Sequence, residues 1–279
     1  MSDEIKASEL HDRLLTIAKF FHNFCVDNEI RYYMLGGTML GAARHKGFIP
    51  WDDDMDFGIP REDYNRFINL IQSNNSEYEV RFYINTDNSP MHYAKLIDRN
   101  TTLIENNYRN YIEGLYIDIF PLDAADIHSV CGKILAKRIA YKHALIMNHC
   151  TTSTKKGFMR SLFNAYAKKC NLKRAHESLE RLMTKNSGKN LPFVANYLGA
   201  WGIKEIVPTA IIGNPTLYVF EDTEFYGVED YDGYLTSLYG NYMALPPKEK
   251  RVFKHGFYYL DLFTPYRQYI SNTEKNSRG

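Results

Sequence analysis

The chain runs to 279 residues, enough to bury a sizeable core without disulfides. At 44% hydrophobic and 24% charged residues, it has the composition of a folded globular protein and not of a disordered one. Its 34 Lys and Arg balance 33 Asp and Glu, which excludes a global field recruiting nucleic acid or an anionic membrane, so any basic patch has to be local.

The first residues are polar, without the basic-then-apolar layout of an export signal, and no apolar run approaches the roughly 20 residues of a membrane span. Cys25, Cys131, Cys150 and Cys170 are far apart and form no CxxC pair, which points to free thiols in a reducing compartment and away from structural zinc. The expectation is a cytoplasmic protein; whether it docks on the inner face of the membrane is left open by the sequence.

Leu10, Leu14, Ile17, Phe21 and Phe24 recur at steps of four and three, which predicts one apolar stripe along a helix over 7–27. The run 30–35 stops at Gly36-Gly37, as a buried strand entering a tight turn would. A short helix over 38–45 follows, and N–H groups at its start, placed after two glycines, are free to face a phosphate. Gly47 and Pro50 break it before Trp51-Asp52-Asp53-Asp54-Met55-Asp56-Phe57-Gly58. From Asp54 the residues alternate, with Asp54 and Asp56 on one side and Met55, Phe57 and Ile59 on the other, until Pro60 ends the strand. Tyr64, Phe67, Ile68 and Ile71 mark the next helix. Further strands are expected at 80–84, 92–97, 102–105 and 115–120; in the last, Tyr116, Asp118 and Phe120 oppose Leu115, Ile117 and Ile119. Residues 127–185 read as two or three Lys/Arg-rich helices, 216–225 as a hairpin and 231–239 as a helix. The domain reading is a catalytic core over 1–125, a helical extension over 126–270 whose C-terminal hairpin and helix complete the substrate site, and a flexible tail over 271–279.

Two carboxylates at spacing two on a strand leave the same face with Cα atoms roughly 6.5 to 7 Å apart, so both reach one ion. Hard divalent cations such as Mg²⁺ or Mn²⁺ take that oxygen array and keep places for phosphate and water. Asp118, on a neighbouring strand, is the third candidate, completing the shell or taking a proton from an attacking hydroxyl. The competing reading is a calcium loop, because Asp52, Asp54, Asp56 and Asp63 fall at its first, third, fifth and twelfth places. Phe57 where that loop needs Gly, and Pro60, argue against it. Arg44, His45 and Lys46 lie between the glycines and the Asp run, where they would meet a phosphate; each also reads as a surface charge. Lys95 is a weaker candidate, since Lys on a sheet edge discourages edge pairing.

The stretch from Gly36-Gly37-Thr38 through Arg44-His45-Lys46-Gly47-Phe48-Ile49-Pro50-Trp51 to Asp56 closely resembles the signature of the LicD family. The likeness continues in Pro60-Arg61-Glu62-Asp63-Tyr64 and returns in Tyr239-Gly240-Asn241-Tyr242-Met243, Pro246-Pro247 and His255. The resemblance implies an α+β nucleotidyltransferase-type fold, a mixed sheet with flanking helices, in which Gly36, Gly37 and Thr38 meet the nucleotide. Asp54, Asp56 and Asp118 then correspond to its metal-binding carboxylates. It also implies transfer of phosphocholine from CDP-choline to a hydroxyl of a teichoic acid or other cell-surface glycan precursor, or of ribitol phosphate in the fukutin group. A quaternary ammonium is held by aromatic faces, for which Tyr226, Tyr231, Tyr234, Tyr239 and Tyr242 are the candidates; packing against the core is the competing reading.

Overall fold

The computed structural model describes residues 3–74, 76–86, 89–106, 111–151, 158–253 and 257–278. In chain order these form α1 (Asp3–Asp27), β1 (Tyr33–Met34), α2 (Gly36–His45), β2 (Asp56–Pro60), α3 (Arg61–Gln72), β3 (Tyr78–Arg81) and β4 (Ala94–Asp98). There follow β5 (Thr102–Glu105), β6 (Ile112–Glu113), β7 (Tyr116–Ala125), α4 (Val130–Cys150), α5 (Phe158–Lys169), α6 (Leu172–Met183), β8 (Phe193–Ala195) and β9 (Ile206–Pro208). The chain ends in α7 (Thr209–Ile212), β10 (Thr216–Phe220), β11 (Thr223–Gly227), α8 (Tyr231–Tyr239), β12 (Phe257–Asp261) and α9 (Tyr266–Arg278).

The fold is α+β. Its main sheet runs β10-β11-β1-β2-β7-β4-β3, with β8 and β9 added beside the C-terminal half of β7, and β12-β5-β6 form a second small sheet. Parallel and antiparallel pairs mix: β2 runs parallel to β7, while β4 is antiparallel to β7. Pro121 sits inside β7 although proline cannot donate to a ladder. It is tolerated because β4 stops pairing at Ile119 and β8 begins only at Asp123, so Pro121 faces the gap between them.

One face of the sheet is aliphatic and aromatic, and α1 and α3 cover it. Leu10, Leu14, Ile17 and Phe21 of α1 are buried, as their spacing predicts, and Phe21 meets Phe57 of β2 and Phe67 of α3 at ring-centroid distances of 4.9 and 5.6 Å. Because side chains alternate along a strand, burying Phe57, Ile117 and Ile119 on this face sends Asp56 and Asp118 to the other. The core thereby aims the carboxylates.

Three segments differ from expectation. The run 30–35 contributes only the two-residue strand β1, since Leu35 already caps α2. Strand β2 begins at Asp56, so Asp52 to Met55 approach it as irregular chain. The polar residues 271–278 continue α9. Strands from both sides of residue 125 share the main sheet, β8 to β11 joining β1, β2 and β7. No helix among the described residues is long and apolar enough to cross a membrane.

Candidate active site

Asp56 and Asp118 are register partners on the adjacent parallel strands β2 and β7, and Lys95 of β4 is the register partner of Asp118 on the far side. Register partners project from the same face with Cβ atoms about 5 Å apart, so the three side chains form a row across the sheet. Asp54 stands two residues before Asp56. The carboxylates of Asp52, Asp53 and Asp54 form the one group of three or more potential ligands among the described residues, their ligand atoms lying within 4.8 Å of one another. Such convergence costs repulsion. Burial, and then the charges of Asp54, Asp118, Asp52 and Glu205, push the Asp56 carboxyl far above its ordinary range.

The glycine turn lets the backbone approach these carboxylates. A Cβ on Gly37 would lie 2.5 Å from Oδ2 of Asp52, and one on Gly36, which has φ +49°, 3.1 Å from Oδ2 of Asp56. The N–H of Gly36 donates to the Tyr234 hydroxyl at 3.1 Å. Thr38 turns inward: its hydroxyl accepts the Asp56 N–H at 2.8 Å, tying the start of α2 to the start of β2. From the opposite side His11 of α1, stacked on Phe48 at 4.2 Å, donates Nε2–H to the Asp52 carbonyl at 2.7 Å and so holds the Asp loop from behind.

These groups open into a cavity of about 580 Å³. Asp52, Asp54, Asp56 and Asp118 line it beside Gly36 and Gly37. Aromatic side chains share the remaining wall with Met91, Glu105, Met147 and Glu205: Tyr93 and Phe120, 4.3 Å apart between ring centroids, Tyr116, and Trp201 set edge-on to Tyr239 at 5.0 Å. Of the five tyrosines singled out as an ammonium cage, Tyr239 alone lines this cavity. Tyr234 supports the glycine turn, Tyr242 donates to Asp232 at 2.7 Å, Tyr231 packs on Tyr218 and Tyr226 on Tyr32.

Arg44, His45 and Lys46 do not line the cavity. Arg44 donates Nη1–H to the Tyr242 carbonyl at 2.7 Å and contacts His45, while the exposed Lys46 caps α2 in the left-handed conformation at φ 60°. Lys95 lies in the sheet interior rather than on an edge. Its Nζ meets Glu113 at 2.7 Å and Glu105 at 3.4 Å and lies 3.4 Å from the Tyr116 ring centroid. Burial pulls its pKa down, but Glu113, Glu105 and Asp118 more than offset it and keep the ammonium charged. Asp63, which the calcium-loop frame needs, instead pairs with Arg31 at 2.7 Å and Arg66 at 3.1 Å from α3. His255 lies outside the described residues.

Two site elements carry no sequence signal. Glu205 folds its own loop around its carboxylate, accepting from the Asn196 amide at 2.8 Å and the Trp201 N–H at 3.1 Å, and burial pushes it up to about 7 in spite of those bonds. That loop brings Trp201 to the cavity. His143 of α4 also lines it, and burial pulls its pKa down to about 4, leaving a neutral imidazole. Tyr116 and Phe120, by contrast, share the strand parity of Asp118 and were readable from it.

The donor set fits a hard divalent cation: every side-chain donor that converges is a carboxylate oxygen, and the glycine turn leaves the hollow that a Cβ would fill. Residues 29–156 match the family model described as LicD/FKTN/FKRP, nucleotidyltransferase domain. Across 255 residues, 86% of this chain and 92% of the relative, the sequence is 29% identical to the lipopolysaccharide cholinephosphotransferase LicD of Haemophilus influenzae. It is 59% identical over 34 residues, 12% of this chain, to the ribitol 5-phosphate transferase FKRP of Homo sapiens, of which that segment is 7%. An uncharacterised protein of Rickettsia typhi is 43% identical over 58 residues. The glycine turn and the carboxylate row both lie within the residues that match the LicD-type nucleotidyltransferase domain, and the likeness to a phosphotransferase of that kind runs along most of the chain.

Proposed function

We propose that the protein transfers phosphocholine from CDP-choline to a hydroxyl of a cell-surface glycan precursor, using Mg²⁺ or Mn²⁺ held by Asp54, Asp56 and Asp118. The observation that carries this reading is one cavity lined both by carboxylates and by π faces. A pyrophosphate suits the first and a quaternary ammonium the second. The match to a lipopolysaccharide cholinephosphotransferase over 86% of the chain supports the choice of group and of a glycan acceptor.

In this mechanism the N-terminus of α2 and the glycine turn orient the phosphates, and the Asp loop, fixed from behind by His11, keeps its carboxylates converged. Asp54, Asp56 and Asp118 would hold a divalent cation there, which would supply positive charge against the phosphate oxygens and the departing CMP. The acceptor oxygen forms its bond to the choline-bearing phosphorus as the bridging P–O bond breaks and its electron pair leaves with CMP. Asp118 takes the acceptor's proton. Trp201, Tyr239, Tyr93 and Phe120 enclose the choline end, and the protein-bound geometry replaces solvent in aligning the in-line attack.

Purified protein incubated with Mg²⁺, CDP-choline and an acceptor glycan should release CMP above the no-acceptor control, with choline appearing on the glycan. Labelling of the acceptor with CMP would assign nucleotidyl transfer instead. Preference for CDP-ribitol over CDP-choline would move the protein to the chemistry named for FKRP.

A further inference from the structure

The chain is nearly neutral, yet its charge is unevenly placed. Residues 127–176 hold eleven of the 34 Lys and Arg and none of the 33 Asp and Glu. This block, which the catalytic reading does not use, builds α4, α5 and the first turn of α6.

On α4 the buried side chains are Leu135, Ile139, Leu145 and Ile146. The opposite side carries Val130, Ile134 and Tyr141, with Lys133, Lys137 and Arg138 exposed among them, at the three- and four-residue steps of one helical stripe. At the seam where Tyr141 meets Phe163 at 6.0 Å, α5 continues the pattern with exposed Leu162 and Tyr166 beside Lys169. These five apolar side chains are between 49% and 72% exposed, where a solvated helix face would be polar. Outward aliphatic and aromatic groups interleaved with unopposed lysines are the pattern of a helix surface lying in a bilayer interface: the apolar tips enter the acyl boundary and the ammonium groups meet anionic headgroups. Aliphatic side chains such as Val130, Ile134 and Leu162 gain nothing from a nucleic acid or a soluble polyanion, which favours lipid. The same helix lines the cavity with His143 and Met147 on its inner side, so a surface touching its outer stripe lies about one helix diameter, 10–12 Å, from the candidate active site.

We propose that the α4–α5 face docks this protein peripherally on an anionic lipid bilayer. The proposal does not depend on which group the enzyme transfers, because docking is read without turnover. Full-length protein should co-sediment with vesicles containing phosphatidylglycerol and not with pure phosphatidylcholine vesicles, and rising salt should weaken the binding. Each Lys or Arg at such a surface contributes about fivefold, so the triple variant Lys133→Glu/Lys137→Glu/Arg138→Glu should lose on the order of a hundredfold or more in vesicle affinity. Ile134→Asn/Leu162→Asn should lose binding at unchanged net charge of the stripe, and both variants should keep CMP release with a soluble acceptor. Equal sedimentation with both vesicle types, no sedimentation with either, or wild-type binding by the triple variant would overturn the proposal. Tight binding to single-stranded DNA that disappears in the charge variant but survives Ile134→Asn/Leu162→Asn, without vesicle binding, would assign the face to a polyanion. A dimer abolished by Ile134→Asn/Leu162→Asn in the absence of vesicles, again without lipid binding, would assign it to a second copy of the chain.

Discussion

Asp56 is held where its charge is least comfortable, in a buried position flanked by Asp54, Asp118 and Asp52. A site built this way stores repulsion that a bound cation relieves, and stability and activity should therefore respond in opposite directions to its removal. Without divalent cation, Asp56→Asn should raise the unfolding free energy, while activity falls by on the order of 10²- to 10³-fold. Thermal unfolding with and without Mg²⁺ checks this: the wild type should gain much more from the cation than the variant, and equal gains would remove Asp56 from the proposed metal site. Gly37→Ala addresses the same site from the backbone side. Its new Cβ would collide with the Asp52 carboxylate, so we expect metal affinity and activity to drop about 10- to 100-fold with the fold retained. A Mg²⁺ titration of activity reads the shift.

Among the elements, α3, β7 and α6 are joined by a buried polar network. Arg61 pairs with both oxygens of Asp123 at 2.7 Å and with Glu180 at 3.0 Å; Glu180 meets His92 at 2.9 Å, and His92 meets His176 at 2.9 Å. Arg61 belongs to the motif segment 60–64, yet its geometry is that of a clamp between the sheet and the helical layer. Arg61→Ala strands Asp123 without its partner and should cost about 3 to 5 kcal/mol in denaturant unfolding. Burial, helped by His92, pulls His176 down from 6.5 to about 4. The unfolded chain takes up this proton near pH 6.5, whereas the folded one resists until about pH 4, so the contribution is intact above pH 6.5 and is lost as pH falls through that window. The loss amounts to about 3 kcal/mol by the usual conversion, and His176→Gln should flatten the stability profile between those pH values by a similar amount.

For the molecule as a whole, the sheet cannot be divided at residue 125. The hairpin β10–β11 closes the open edge of β1 through the pairing of Met34 with Gly227, and α8 supplies Tyr234 and Tyr239 to the glycine turn and the cavity. A chain cut after residue 200 should therefore lose more than a lobe: it leaves β1 as an exposed edge and the turn unsupported. We expect such a fragment to aggregate or to show a non-cooperative unfolding curve by circular dichroism, and a soluble, cooperatively folding 1–200 fragment would contradict this.

The sequence by itself determined what depends on neighbours along the chain. Strand parity placed Asp56 and Asp118 on the face opposite Phe57 and Ile119, helical spacing marked α1, α3 and α8, and the two glycines marked the turn into α2. Tertiary structure decided everything that depends on which segments meet. Only the in-register pairing of β2 with β7 sets Asp118 beside Asp56. Only the meeting of Arg44 with the Tyr242 carbonyl turns that arginine from a phosphate candidate into a tie to the C-terminal segment. Trp201 and Glu205 enter the cavity through an irregular loop folded around one carboxylate, and no periodicity announces such a loop. Local pattern fixes the direction of a side chain; long-range packing fixes what stands at the end of it.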